Sequence, residues 1–282
     1  MRLLSWLWEP LEYEFMRQAL VLAVLLGMLC PVVGSLLIVQ RLALLGDVIS
    51  HAVLPGLAAS LLLKIDLFVG ALLAGAGSML LVAWVQERSR LKADAVLGLV
   101  SAGFLALGTI GLSRVRVGVD LESLLFGDIL AATSADTLRT LVLAAVVLAA
   151  VGLLYKELLF YTFDPEGAAA CGLPAGLLGR GVLTAATLAI VAGMQAAGVV
   201  LVAALLVGPA GTAYLLVNRL GTMMLLGTVF AVAAGVVGLY LSYYLSVPSG
   251  ATIVVVVFAG FLLVLAIDSG RNWLARRGLA KR

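Results

Sequence analysis

Two ionisable side chains stand four residues apart inside an otherwise apolar run, Arg41 to Ser60 (RLALLGDVISHAVLPGLAAS): Asp47 and His51, the latter the single histidine of the chain. At helical spacing both leave the same face, with Ser50 beside them. Ionisable groups are costly inside a hydrocarbon layer and mark functional sites there. Three chemistries fit the pair: a divalent metal site, a proton relay, or a buried charge pair that joins two helices. A carboxylate oxygen with an imidazole nitrogen suits manganese, iron or zinc, whereas calcium and magnesium prefer all-oxygen shells. One protomer supplies too few ligands, since there is no second histidine and Asp66, Asp94 and Asp268 fall at the ends of apolar segments. Two copies about a two-fold axis would bring four ligands together, so the metal reading predicts a homodimer. Spacing alone leaves all three readings open.

The run also contains Pro55 and Gly56. A proline has no N–H to give the carbonyl four residues earlier, so that of His51 is left without its helical donor, close to the two side chains. Gly56 removes bulk and permits a hinge or the close approach of a neighbouring helix. Pro209, in a later apolar stretch, frees the Leu205 carbonyl in the same way and is expected to kink its helix. These three residues are read as shaping a pathway.

Composition says what must position the pair. The chain has 282 residues, 63% hydrophobic and 12% charged, with a mean hydropathy of +1.20; a soluble domain carries about 25% charged residues. The expectation is an all-α polytopic membrane protein. In such a chain a net charge of +3 reflects basic residues along one side of a bilayer, and nucleic-acid binding is not expected. Cys30 and Cys171 show no CxxC spacing and are read as packing residues.

Residues 1–14, with Trp6, Trp8 and Tyr13, read as an interfacial segment rather than a cleavable signal. Residues 15–267 form the transmembrane domain. Its spans are Phe15 to Val39, the Asp47 helix, Leu67 to Val85, Ala95 to Ser113, Thr137 to Tyr155, a long apolar stretch after Arg180 that must divide near Met194 to Gly198, then Gly221 to Leu245 and Gly250 to Ile267. Eight or nine crossings are both compatible with this pattern, because the first span and the Asp47 helix could be two crossings or one crossing and a broken element. LESLLFGDIL, in the Arg114 to Asp136 link, reads as a short amphipathic or re-entrant helix. Placing ERSRLK, the Lys156 to Arg180 link, Arg219 and the basic tail 268–282 on the cytoplasmic side makes the spans alternate consistently. That side also receives FDPEGAAACGLP (163–174), a short helix by its punctuation. Asp164 is its N-cap, Pro165 and Glu166 fill the first turn, and Gly172 with Pro174 ends it. Such an element between spans is a natural docking point for another protein.

GDVISHAVLPG at 46–56 resembles the signature of the membrane permease subunits of bacterial ABC importers for manganese, zinc and iron. Further stretches agree: KADAVLGLVSAGFLALGTI (92–110), LLFGDILA (124–131), FDPEGAAACGLP (163–174) and GMQAAGVVLVAALLVGPAGTAYLL (193–216). The resemblance runs in order from Phe15 to Ile267, and the Leu-Pro-Gly after His51 points to the manganese-type members. It implies an ABC importer permease fold and a homodimer in the bacterial plasma membrane. Two copies of a separate cytoplasmic ATPase would power it, and an extracytoplasmic metal-binding receptor would feed it. By resemblance, Asp47 and His51 match the pathway's metal-coordinating pair, and Asp164, Pro165, Glu166 and Gly172 belong to the element that couples to the ATPase. The chain has no G-x-x-x-x-G-K-[ST] phosphate loop, so a transport subunit and not an enzyme is expected. Membrane lipid surrounds it, no permanently bound cofactor is expected, and the cargo is Mn²⁺ or, alternatively, Zn²⁺ or Fe²⁺. The alternative from another class is a proton-coupled secondary transporter, for which the chain offers neither a convincing inverted repeat nor a second intramembrane acid.

Overall fold

The regular elements of the computed structural model, which describes residues 8–114 and 127–279, are all helical. In order they are α1 (Glu14–Val39), α2 (Leu45–Leu63), α3 (Leu67–Arg88), α4 (Ala93–Arg114), α5 (Ser134–Leu153), α6 (Tyr155–Phe163), α7 (Pro165–Ala170), α8 (Ala175–Ala197), α9 (Val199–Leu216), α10 (Leu220–Leu245) and α11 (Ser249–Leu279). Single 3₁₀ turns occupy Glu9–Glu12 and Ile129–Ala131. Among the described residues nine helices, all but α6 and α7, are long and apolar enough to cross a membrane. Backbone groups cannot be left unpaired in hydrocarbon, and continuous helices satisfy them within each span.

Local signals explain the helix ends. Asp66 accepts the Phe68 N–H at the head of α3 (2.8 Å). At the head of α5, Thr133 and Asp136 form a reciprocal capping box. The long apolar stretch after Arg180 divides at Gly198, whose φ of 81° is open to glycine at little cost, separating α8 from α9. Pro209 sits inside α9, which remains helical from Val199 to Leu216. The last helix continues past Ile267 to Leu279, so the basic segment begins as an extension of the final span. Cys30 is fully buried, as a packing residue should be, whereas Cys171 is exposed at the end of α7 and packs against nothing that buries it. Most of LESLLFGDIL lies outside the described residues. Its end forms the Ile129–Ala131 turn, capped by Asp128, which also accepts a hydrogen bond from Ser249 Oγ (2.9 Å).

The core is built on α1, whose Leu22, Leu26, Leu29, Cys30, Val33, Leu36 and Leu37 are inaccessible to solvent. Helices α5, α8, α9 and α10 pack around it, and α11 closes over α9 and α10. The second group is α2 with α3 and α4 on either side, joined to the rest through α8 and α9. Small residues let these backbones meet, because in lipid it is close packing that holds helices together. A side chain at Gly34 of α1, for example, would collide with the Leu206 carbonyl of α9.

Contacts at the two ends of α1 decide the number of crossings. At its start, Tyr13 lies against Tyr243 near the end of α10 (ring centroids 6.2 Å apart), and Gln18 Nε2 donates to Ser134 Oγ at the head of α5 (3.1 Å). At its far end, Gln40 Nε2 donates to Thr162 Oγ1 of α6 (3.2 Å). Helix α1 thus crosses completely and α2 returns as a separate element, which gives nine crossings among the described residues. With Arg88, Arg90, Lys92, Lys156, Arg180 and Arg219 on the cytoplasmic side, the turn at Glu9–Glu12 lies outside.

Candidate functional site

Helix α2 is 19 residues long, about 28 Å at 1.5 Å per residue. It runs parallel to α4: Asp47 meets Ser101, Pro55 faces Gly108, and Ala58 faces Gly111. Ser101 is eight residues into α4, about 12 Å from its cytoplasmic start. The first turn of α2 therefore lies level with the second turn of α4 and beyond, not with its start. A side chain at Gly108 would fall 3.0 Å from Pro55 Cδ, and one at Gly56 would run into the Gly70 carbonyl of α3. Glycines on both neighbours thus grip the helix around its proline. Near its start, a side chain at Gly46 would come within 2.9 Å of Leu206 Cδ2 of α9.

Asp47 occupies the first turn of α2, where the exposed N–H groups and the helix dipole favour an anion. Its Oδ2 lies 3.5 Å from His51 Nδ1, beyond good hydrogen-bond distance. Ser101 closes that gap: its hydroxyl donates to Asp47 Oδ2 (2.8 Å) and lies 2.7 Å from His51 Nδ1. A hydroxyl has one proton. Once that proton is given to Asp47, the Ser101 oxygen can only accept from Nδ1–H. The arrangement selects the imidazole tautomer protonated on Nδ1, leaving the Nε2 lone pair and Asp47 Oδ1 unengaged by these contacts. A histidine ligand oriented by a hydrogen bond to its other nitrogen is the usual outer-shell arrangement at metal sites.

Ser101 was not among the residues singled out by spacing. It lies 54 positions from Asp47, in an apolar helix where a serine reads as an ordinary small packing residue. Ser50, by contrast, takes no part in these bonds: it is buried, and its Oγ has no partner among the described residues.

From Leu45 to Ser60, α2 is buried at every position except Asp47, His51, Pro55 and Ala59. These residues recur every four positions and form one stripe along the helix. The Asp47 side chain keeps 54% of its accessibility and that of His51 26%. The pair thus faces outward from its own protomer, with Pro55 and Ala59 continuing the stripe along α2. Among the described residues no group of three or more His, Cys, Asp or Glu side chains could hold a metal, so a single protomer offers this pair alone.

The other singled-out residues lie elsewhere. Asp164 Oδ1 accepts the Gly167 N–H (2.8 Å) at the head of α7, Pro165 is its first residue, and Glu166 is in its first turn. Gly172 has φ 83°, and the Leu173 N–H reaches back to the Ala168 carbonyl (3.0 Å), which ends the helix. All four are exposed on the cytoplasmic side. Pro209 is buried in α9 on the side facing Gly227 of α10.

The model of a family described as the ABC 3 transport family matches residues 12–268. The manganese transport system membrane protein MntC of Listeria monocytogenes is 40% identical over 246 residues, covering 87% of this chain and 88% of that protein. A Haemophilus influenzae protein named "Probable iron transport system membrane protein" is 34% identical over 267 residues, covering 95% and 98%. Among solved structures, PsaBC from Streptococcus pneumoniae in complex with Fab superposes with a TM-score of 0.85 at 34% identity, covering 93% of this chain and 95% of that one.

Proposed function

The chain belongs to the ABC 3 transport family and is a multi-pass permease of the metal ABC transporter type in the bacterial plasma membrane; from this we propose that two copies form the pathway by which a divalent transition metal, manganese first, enters the cytoplasm. The observation that carries the reading is the uncovered stripe of α2. Between Leu45 and Ser60 it is the part of that helix its own protomer leaves open, and it bears the Asp47 and His51 pair. A second copy facing it across a two-fold axis brings two carboxylates and two imidazoles to one place, enough for a tetrahedral shell or part of a larger one. Iron is the second reading for the cargo, favoured by the name of the Haemophilus influenzae relative. The same nitrogen and oxygen donors accept either ion, and by the usual affinity order zinc more tightly than manganese.

Transport proceeds by alternating access. A receptor delivers the ion from outside, and the paired side chains hold it between the two faces. Closure of the ATPase dimer is then passed through α7 to open the inner side. Binding is moderate, because a site that holds its ion too tightly cannot release it. Protonation of the imidazole competes with the ion, since only the neutral ring is a ligand.

Manganese accumulation in cells carrying the chain with its ATPase and receptor, followed by elemental analysis, is expected to require the ATPase and to survive collapse of the proton gradient. Uptake that persists without the ATPase and disappears with the gradient would instead make the pair a relay in a proton-coupled carrier. For α7, Asp164→Ala removes a cap worth about 1 kcal/mol. The helix end then frays, and the ratio of manganese transported to ATP hydrolysed in reconstituted vesicles is expected to fall several-fold while hydrolysis continues. An unchanged ratio would take α7 out of the coupling path.

A further inference from the structure

Resting on the ATPase reading above, we propose that a cavity beside α7 is a second contact with that partner, a socket that takes an acidic side chain of the ATPase subunit. The cavity, of about 390 Å³, lies at the cytoplasmic end of the bundle where three separate pieces of chain converge. Arg41 comes from the α1–α2 linker, Asn218 and Arg219 from the α9–α10 turn with Tyr214 just before it, and Thr162 and Phe163 from the end of α6. Two other clefts among the described residues, between α3 and α5 and between α5 and α8, are lined mainly by aliphatic side chains. This one carries two guanidinium groups.

Neither Arg41 nor Arg219 forms an ion pair among the described residues. Asp164, which follows the lining residue Phe163 in the chain, caps α7 by accepting the Gly167 N–H. The cavity therefore holds positive charge and hydrogen-bond donors without their anion. Guanidinium forks match carboxylates in planar, bidentate geometry, so the group that completes the site is an aspartate or glutamate. Phe163, the residue before the cap of α7, lines the same cavity. A protein seated on α7 thus has its surface over the socket, which is why the occupant is assigned to the ATPase.

The socket also touches the route to the metal pair. Gln40, next to Arg41, donates to Thr162 of the α6 segment, and α2 begins four residues beyond Arg41. A carboxylate drawn between Arg41 and Arg219 would bear directly on the linker that leads into α2, the helix of Asp47. Arg41 itself is held at φ 59°, just past the end of α1, where glycine is the usual residue. Arg41→Gly therefore removes the side chain while relaxing the backbone, and makes a test that does not burden the fold.

The test uses the purified permease in lipid nanodiscs and the purified ATPase subunit of the same importer, with the dissociation constant measured at low and high salt. Arg41→Gly and Arg219→Gln are each expected to weaken ATPase binding about tenfold or more, and Arg41→Glu with Arg219→Glu to weaken it further. The salt dependence should shrink, and Mn²⁺ affinity of the permease alone should stay at the wild-type value. Unchanged ATPase affinity in the double charge reversal would overturn the socket and leave the metal reading standing. The socket would equally be overturned if the substitutions abolished binding of inorganic phosphate to the permease alone while ATPase affinity held, since the cavity would then be a small-anion site. A wild-type permease that does not bind the ATPase at all would overturn both this inference and the transport reading beneath it.

Discussion

Replacing Asp47 or His51 by alanine is expected to lower manganese accumulation at least 100-fold, to the level of cells without the permease, at matched amounts of protein in the membrane. Loss of an outer-shell partner alone costs about 10–100-fold in metal affinity, and these residues are the proposed ligands themselves. In a two-fold assembly each substitution removes two ligands of four, so what remains cannot hold the ion. Asp47→Asn is the sharper variant: it keeps an oxygen that can accept from Ser101 and removes the negative charge that attracts the cation. The fold should tolerate all three, because both side chains face away from the protomer's core, with 54% and 26% of their accessibility retained. Elemental analysis of whole cells for manganese, zinc and iron reads the result and the cargo together. Selective loss of manganese supports the pair and the metal assignment; accumulation unchanged in both alanine variants would take the pair out of the transport path.

Ser101→Ala is expected to weaken Mn²⁺ binding by about 10–100-fold without unfolding the protein. The substitution removes a single oxygen atom at a position only 5% exposed, so it deletes the hydroxyl and adds no bulk. Asp47 then loses its donor and His51 loses the acceptor that holds the proton on Nδ1, and the two side chains are free to turn or to pair directly. Ser101→Thr restores a hydroxyl on the same carbon and should recover most of the affinity. Calorimetric titration of the purified permease with Mn²⁺ measures the change. Nitrogen-15 spectra of the imidazole add a readout that simple loss of packing would not move: the Nδ1–H tautomer should dominate in the wild type and in Ser101→Thr, and lose its dominance in Ser101→Ala. Equal affinity and an equal tautomer ratio in all three proteins would remove Ser101 from the site.

Much of this organisation is written in short stretches of chain. The number of apolar residues needed to cross hydrocarbon sets where spans lie. The i, i+4 spacing of Asp47 and His51 puts them on one face in any helix, and Asp164-Pro165 with Gly172 brackets a short helix by local hydrogen bonding alone. The break at Gly198 belongs here too, since an apolar stretch twice the length of a span must divide, and glycine accepts the required backbone angles. Each of these follows from forces that act within a few residues.

Which of these pieces face one another is set by packing between helices distant in the chain. Helices such as α4 and α10 are apolar nearly all round, so their sequences do not say which face meets a neighbour. Ser101 becomes part of the site only because α4 packs parallel to α2 in one rotational setting. The count of crossings was equally closed to the sequence, since an N-terminal span and a broken element have the same composition. Tyr13 against Tyr243 and Gln40 against Thr162 settle it by fixing the two ends of α1. Arg41 and Arg219 share a cavity for the same reason. Composition and spacing alone establish a helical membrane protein with an acid and an imidazole on one helix face. Packing between helices, set by close approach at glycines such as Gly56 and Gly108, decided that the pair is bridged by a serine and left uncovered, because long-range contacts depend on rotation and register that no local pattern encodes.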